Sequence, residues 1–157
     1  MFDALALAAL AFGLATPRDA PGAVPAPRPS VAAAELLAFD ELLEKGTRFA
    51  FSRRARALDG KRVRLAGFMV EMELPPRGAF YLVPRPLLAD ESGGGTADLP
   101  PQAVRVVVRS SPGEAIPFVA RPSEVTGVLV LGNAVDEEGR VSAIRLVLDR
   151  REDVVGH

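Results

Sequence analysis

The chain has 157 residues, a formal charge of −1 from 19 basic and 20 acidic side chains, no cysteine, and a lone histidine, His157. These counts exclude disulfides, thiolate nucleophiles, Cys-ligated zinc, multi-histidine metal sites and a Ser-His-acid triad within one chain. The remaining material, rich in Val, Leu and Ala with 14 Pro and 14 Gly, suits one turn-rich domain of about 110–125 residues.

Ala4 to Ala15 is an apolar run of small residues. Its length fits the hydrophobic region of a secretory signal and is too short to span a bilayer. Residues 1–15 are therefore read as a signal peptide, although Met1-Phe2-Asp3 carries an acid where a basic start is usual. Residues 16–30 form a Pro/Ala-rich linker. The expectation is a periplasmic or secreted protein after cleavage, with a cytoplasmic one as the alternative. No transmembrane span is expected in the mature domain.

Residues 31–150 are read as a single domain and 151–157 as a polar tail. Ser30 is placed to cap a helix from Val31 to Lys45 that stops at Gly46, with Leu36, Phe39, Leu42 and Leu43 as its apolar stripe. From Lys45 to Arg64 the chain then carries Lys45, Arg48, Arg53, Arg54, Arg56, Lys61, Arg62 and Arg64 against only Asp59. This run is either an electrostatic footprint for an anionic partner or a solvated connector whose arginines pair with nearby acids. Phe49 and Phe51 fit either reading, as stacking rings or as anchors to the core.

Five strands follow. The first, Arg62 to Met72, alternates Val63 and Leu65 with Arg62 and Arg64 until Gly67, where a bulge or tight bend is expected. Phe80 to Val83 is the second, after the turn-like Pro75-Pro76-Arg77-Gly78. The third, Val104 to Arg109, puts Val104, Val106 and Val108 inward and Arg105, Val107 and Arg109 outward. Val125 to Leu131, bounded by Pro122 and Gly132, is the fourth. The Asp136-Glu137-Glu138-Gly139 turn leads to the fifth, Val141 to Asp149, with Ile144, Leu146 and Leu148 on one face. Between strands two and three runs a long loop, Arg85 to Gln102. The fold expectation is all-β: a five-stranded OB-like barrel with an N-terminal helix and a long loop between strands two and three. A small sandwich or SH3-like barrel is the competing arrangement.

Leu58-Asp59-Gly60-Lys61-Arg62-Val63-Arg64-Leu65-Ala66-Gly67-Phe68-Met69-Val70, followed by Phe80-Tyr81-Leu82-Val83-Pro84, resembles a bacterial family of unknown function, number 3299 in that series. The resemblance runs over about Leu58 to Leu148 and implies a small OB-like protein of a kind frequently exported. Members typically have Pro where this chain has Glu71, and a Gly-Ala-Cys-Ile-His stretch where it has Arg85-Pro86-Leu87-Leu88-Ala89-Asp90. Any role of that Cys and His has no residue to pass to here.

The candidate ligand- or partner-binding residues are Arg62, Arg64, Tyr81, Arg85 and Arg105. Aromatic rings beside arginines on one barrel face would suit a nucleic-acid OB module, with Phe68 or Tyr81 stacking on bases. The structural reading puts Phe68 in the core, and Tyr81 at the barrel edge with its hydroxyl in water. The carboxylates Asp90, Glu91 and Asp98, and the acids of the Asp136 turn, lack the convergent spacing of a hard-cation site. No catalytic residue, metal or cofactor is expected. The expected function is a non-enzymatic, exported or envelope-associated binding or accessory module for a protein or small ligand. The alternative is a single-stranded nucleic-acid-binding OB domain, and a carboxylate-only hydrolase ranks third.

Overall fold

Alternation of buried and more exposed side chains along several strands shapes the core of this protein. Its structure, a computed structural model, describes residues 34–46, 49–87 and 99–156. The expected signal, the linker and the loop carboxylates Asp90, Glu91 and Asp98 lie outside the described residues. Within them run β1 (Glu35–Leu36), α1 (Arg53–Leu58), β2 (Arg62–Met69), β3 (Ala79–Val83), β4 (Val104–Val108), β5 (Ser123–Val135), β6 (Val141–Leu148) and β7 (Val154–Gly156).

Five of these strands close a barrel in the order β2-β3-β4-β6-β5, with β5 returning to β2. β2 and β5 pair antiparallel from Arg62 opposite Val128 to Gly67 opposite Ser123. The β4–β6 seam is parallel, with Val106 opposite Leu146. Outside the barrel, β1 lies parallel to β2 and β7 antiparallel to β5. Val104, Val106 and Val108, expected inward, are buried in one cluster with Ile144, Leu146 and Leu148, the expected single face of the last barrel strand, and with Val63, Leu65, Phe80 and Leu82. Burying each such side chain stabilises the fold by about 1.5–3 kcal/mol relative to leaving it in water.

The expected helix over residues 31–45 is not what residues 34–45 form. They make β1, then a 3-10 turn at Phe39–Glu41 and a bridge from Leu43 to Phe51. The backbone is captured by the barrel where Leu37 N donates to Arg64 O, while Ala38 N donates locally to Glu41 Oε2 to cap the 3-10 turn. Leu37, Phe39 and Leu42 join the core, while Leu36, placed on the helical stripe, is exposed. The short helix comes later, at α1, where the Ser52 hydroxyl accepts from Ala55 N at 3.0 Å and so caps its first turn.

Two strand boundaries also differ. β2 ends at Met69, and alternation passes straight through Gly67, whose inward side faces the Phe39 ring and Val83 O. A Cβ there would lie 2.6 Å from both. Gly67 therefore serves close approach where β2 exchanges its β5 partner for β3. β5 continues past Gly132 to Val135, because an irregularity between Leu131 and Ala134 absorbs the glycine, whose φ is +111°.

Candidate functional site

Four of the eight basic residues between Lys45 and Arg64 face carboxylates. Arg54 lies 3.3 Å from Glu35 and 3.2 Å from Glu41, and Arg56 lies 2.9 Å from Glu44. Of the expected site residues on β2, Arg62 sits between Asp149 and Asp153 at 3.4 Å each, and Arg64 faces Glu124 at 3.4 Å. These two arginines tie β2 to the chain's last strands. Arg85 is exposed just past β3 and makes no ion pair among the described residues.

Tyr81 and Arg105 belong to a different place. They are direct partners across the β3–β4 ladder, on the outer face of the barrel. Arg105 is also the parallel-register partner of Arg145 on β6. The Arg145 guanidinium donates to Gly132 O at 2.8 Å and Ser142 O at 3.1 Å, which holds it against the backbone. Arg105 Nη2 instead lies 2.9 Å from Asp136 Oδ2, and both side chains are about nine-tenths buried.

Asp136 is fixed by its other oxygen. Oδ1 accepts from Glu138 N at 2.9 Å and Arg140 N at 2.7 Å, closing the β5–β6 turn, where Gly139 adopts φ +79°. The turn is tied down in addition by Arg140, whose Nη1 donates to Glu138 and Nη2 to Leu74 O. The expected turn is thus present, and it carries a carboxylate into the outer face of β4.

The cluster is incompletely satisfied. Arg105 Nε, Asp136 Oδ2 and Tyr81 OH are all buried without a hydrogen-bond partner, so the Arg105–Asp136 approach is a charge contact lacking hydrogen-bond alignment. Burial raises the Tyr81 hydroxyl above its ordinary pKa, with the Arg105 charge partly opposing the shift. The expectation of a Tyr81 hydroxyl in water is corrected: residues of the β5–β6 hairpin close over this face, and the side chain is buried.

Above Arg105 and Asp136 opens a groove of about 590 Å³. Arg77, Arg105 and Arg109 line it from the β3–β4 side, and Asp136, Glu137 and Glu138 from the hairpin. Val107 and Val135 supply apolar surface between these charges. Phe68, expected in the core, is half-buried on the outer face because Gly67 occupies the inward position. With Met69, Leu87 and Phe118 it lines a separate groove of about 350 Å³.

The expected arginines therefore do not share one face. Tyr81 and Arg105 come together, whereas Arg62 and Arg64 pair elsewhere. Asp136, Arg145 and Arg77 complete the neighbourhood, and outward alternation on β4 was the sequence signal that pointed toward it. Among the described residues, no three Asp, Glu, His or Cys side chains gather as a metal-binding group. No described helix is long and apolar enough to cross a membrane.

No family model matches the chain, and no curated protein matches it. Among solved structures, it is similar to the crystal structure of a DUF3299 family protein from Pseudomonas aeruginosa PAO1. The two share 20% identity over 80% of this chain and 97% of that one, with a TM-score of 0.47. That structure comes from the same family that the Leu58–Pro84 residues resemble.

Proposed function

We propose that the chain is a non-enzymatic, OB-like binding module, exported after loss of its N-terminal run, whose ligand occupies the outer face of β3 and β4. The observation that carries this reading is the groove over Arg105 and Asp136. The OB-like assignment is supported by the barrel order and the parallel β4–β6 seam. In such barrels the ligand face is formed by the second and third barrel strands and is flanked by two connections. Here those connections correspond to the segment before β3, with Arg77 and Gly78, and to the Asp136–Arg140 turn. A concave surface with convergent polar groups above apolar floor residues is the usual form of a small-ligand site.

The non-enzymatic reading rests on the absence of Cys and of any His before residue 157. The oligonucleotide alternative gains no support from the geometry. Arg62, Arg64 and Arg105 each face a carboxylate, and the Tyr81 ring is buried rather than open to a base.

The test is a fragment screen by nitrogen-15 NMR on the full chain, repeated on Val107→Trp, which fills the groove. Small molecules that shift Val107 and Val135 in the native protein, and lose their effect in the variant, support the reading. Binding confined to other surfaces overturns it. N-terminal sequencing of the protein recovered from cells tests export: a mature start between Ala15 and Ser30 supports it, and an intact chain refutes it.

A further inference from the structure

The Arg105–Asp136 pair is an underused one. A guanidinium fork matches a carboxylate through two parallel hydrogen bonds, and such bidentate pairs are among the strongest polar contacts in proteins. Asp136 does not make that match. It meets only Nη2, at 2.9 Å and out of alignment, and leaves Nε buried and bare. Its freedom to improve the contact is limited, because its other oxygen is committed to the turn through Glu138 N and Arg140 N.

Buried polar groups in native structures nearly always find partners, and orphans concentrate where a ligand or ordered water belongs. Here three orphans, Arg105 Nε, Asp136 Oδ2 and Tyr81 OH, are grouped on one outer face. Arg105 and Asp136 also line the groove. Two of the three are donors, Arg105 Nε and Tyr81 OH, on residues paired across the β3–β4 ladder, of which Arg105 lines the groove. In the same groove, Val107 and Val135 offer apolar contact. The lining charges balance, three arginines against three acids, so a ligand anion is not drawn in by net field. It must replace an internal one.

We propose that this groove binds a carboxylate carried on an apolar body, and that the ligand carboxylate displaces Asp136 from Arg105. The proposal rests on the reading of the groove as the ligand face. The incoming group takes the Nε and Nη2 donors of Arg105. Its apolar body lies on Val107 and Val135. Asp136, released, turns its carboxylate to solvent and loosens its contacts with Glu138 N and Arg140 N, the amides that report the exchange. In the free protein it acts as a resident competitor that keeps the buried guanidinium paired.

The experiment titrates the full chain with benzoate, neutral benzamide and inorganic phosphate, following Arg105 Nε–H and the amides of Val107, Val135, Glu138 and Arg140 by nitrogen-15 NMR. Asp136→Asn retains a side-chain oxygen for the turn but loses the competing charge, and thermal melting checks that it folds. Benzoate is expected to bind this variant about tenfold more tightly than the native chain, a difference typical of one charge-assisted hydrogen bond. In the double variant Arg105→Gln with Asp136→Asn, which leaves no unpaired buried charge, benzoate should bind no better than benzamide.

Equal benzoate affinity in the native chain and Asp136→Asn overturns the proposal, as does a benzoate preference that survives in the double variant. Phosphate binding as tight as benzoate overturns the part assigned to the apolar body. If benzamide shifts Val107 and Val135 as strongly as benzoate, the groove stands as a ligand face and the carboxylate exchange falls. If no probe shifts these residues in any variant, both fall.

Discussion

Arg105 on β4 and Asp136 at the β5–β6 turn meet at 2.9 Å with both side chains largely withdrawn from water. Asp136 uses one oxygen to shape its turn and the other to face Arg105, so local hairpin geometry and tertiary pairing depend on the same carboxylate. Removing one partner of such a pair leaves an uncompensated buried charge, whereas removing both does not.

Arg105→Gln is accordingly expected to lower stability by about 3 kcal/mol, with Arg105→Gln plus Asp136→Asn recovering most of that loss. Urea unfolding of the two single variants and the double variant gives the coupling directly. A double variant as unstable as the sum of the singles would show that the pair acts independently.

Tyr81→Phe removes a buried hydroxyl that has no partner. Stability should rise by about 1 kcal/mol, the cost of leaving such a group unsatisfied. A loss of stability on denaturant unfolding would instead mean that the hydroxyl is hydrogen-bonded through water.

The same residue sets an alkaline limit. Its folded pKa is raised above the ordinary 10.0, chiefly by burial. Above that value the unfolded chain releases the proton more readily than the folded one, so stability falls with rising pH. The contribution is complete below pH 10.0 and is lost from there up to the raised folded value. Tyr81 is the chain's one tyrosine and there is no tryptophan, so ultraviolet difference absorbance reports its ionisation alone. Tyr81→Phe should flatten the stability profile in this range.

Gly67→Ala places a methyl group 2.6 Å from both the Phe39 ring and Val83 O. The ring can shift, but the carbonyl belongs to a paired strand. A cost of about 2 kcal/mol is expected from overpacking. Gly67→Ala combined with Phe39→Leu should recover only the part due to the ring, as measured by chemical denaturation.

Ser52→Ala removes the cap of α1 and a hydroxyl that also donates to Glu41 O. A loss of about 1–2 kcal/mol is expected. Thermal melting measures it, and Ser52→Thr should retain much of the native value.

Much of the barrel was legible because side-chain alternation in a strand has a period of two. Val104, Val106 and Val108 could take only one arrangement that left Arg105 and Arg109 outward. The residues before α1 misled for the opposite reason. Leu36, Phe39, Leu42 and Leu43 fit a helical stripe, but Leu37 is buried and its backbone hydrogen-bonds to β2. Nothing local announces that long-range capture. The site was half visible: Arg105 stood out on the outer face, whereas Asp136 read as a turn residue. It is one through Oδ1, and its second role arises only when the parallel β4–β6 seam brings the hairpin over β4.

The pairing of β2 with β5 has a kinetic consequence. Arg62 waits for Val128, and β4 waits for β6, so both seams of the barrel depend on the last third of the chain. Such non-local closure places the protein among slow-folding topologies. During synthesis β2, β3 and β4 have one another as partners, but the barrel stays open until Ser123 and the residues after it have emerged. A chain with that order of assembly spends most of its time on the ribosome as an open three-stranded sheet whose two edges await the last strands.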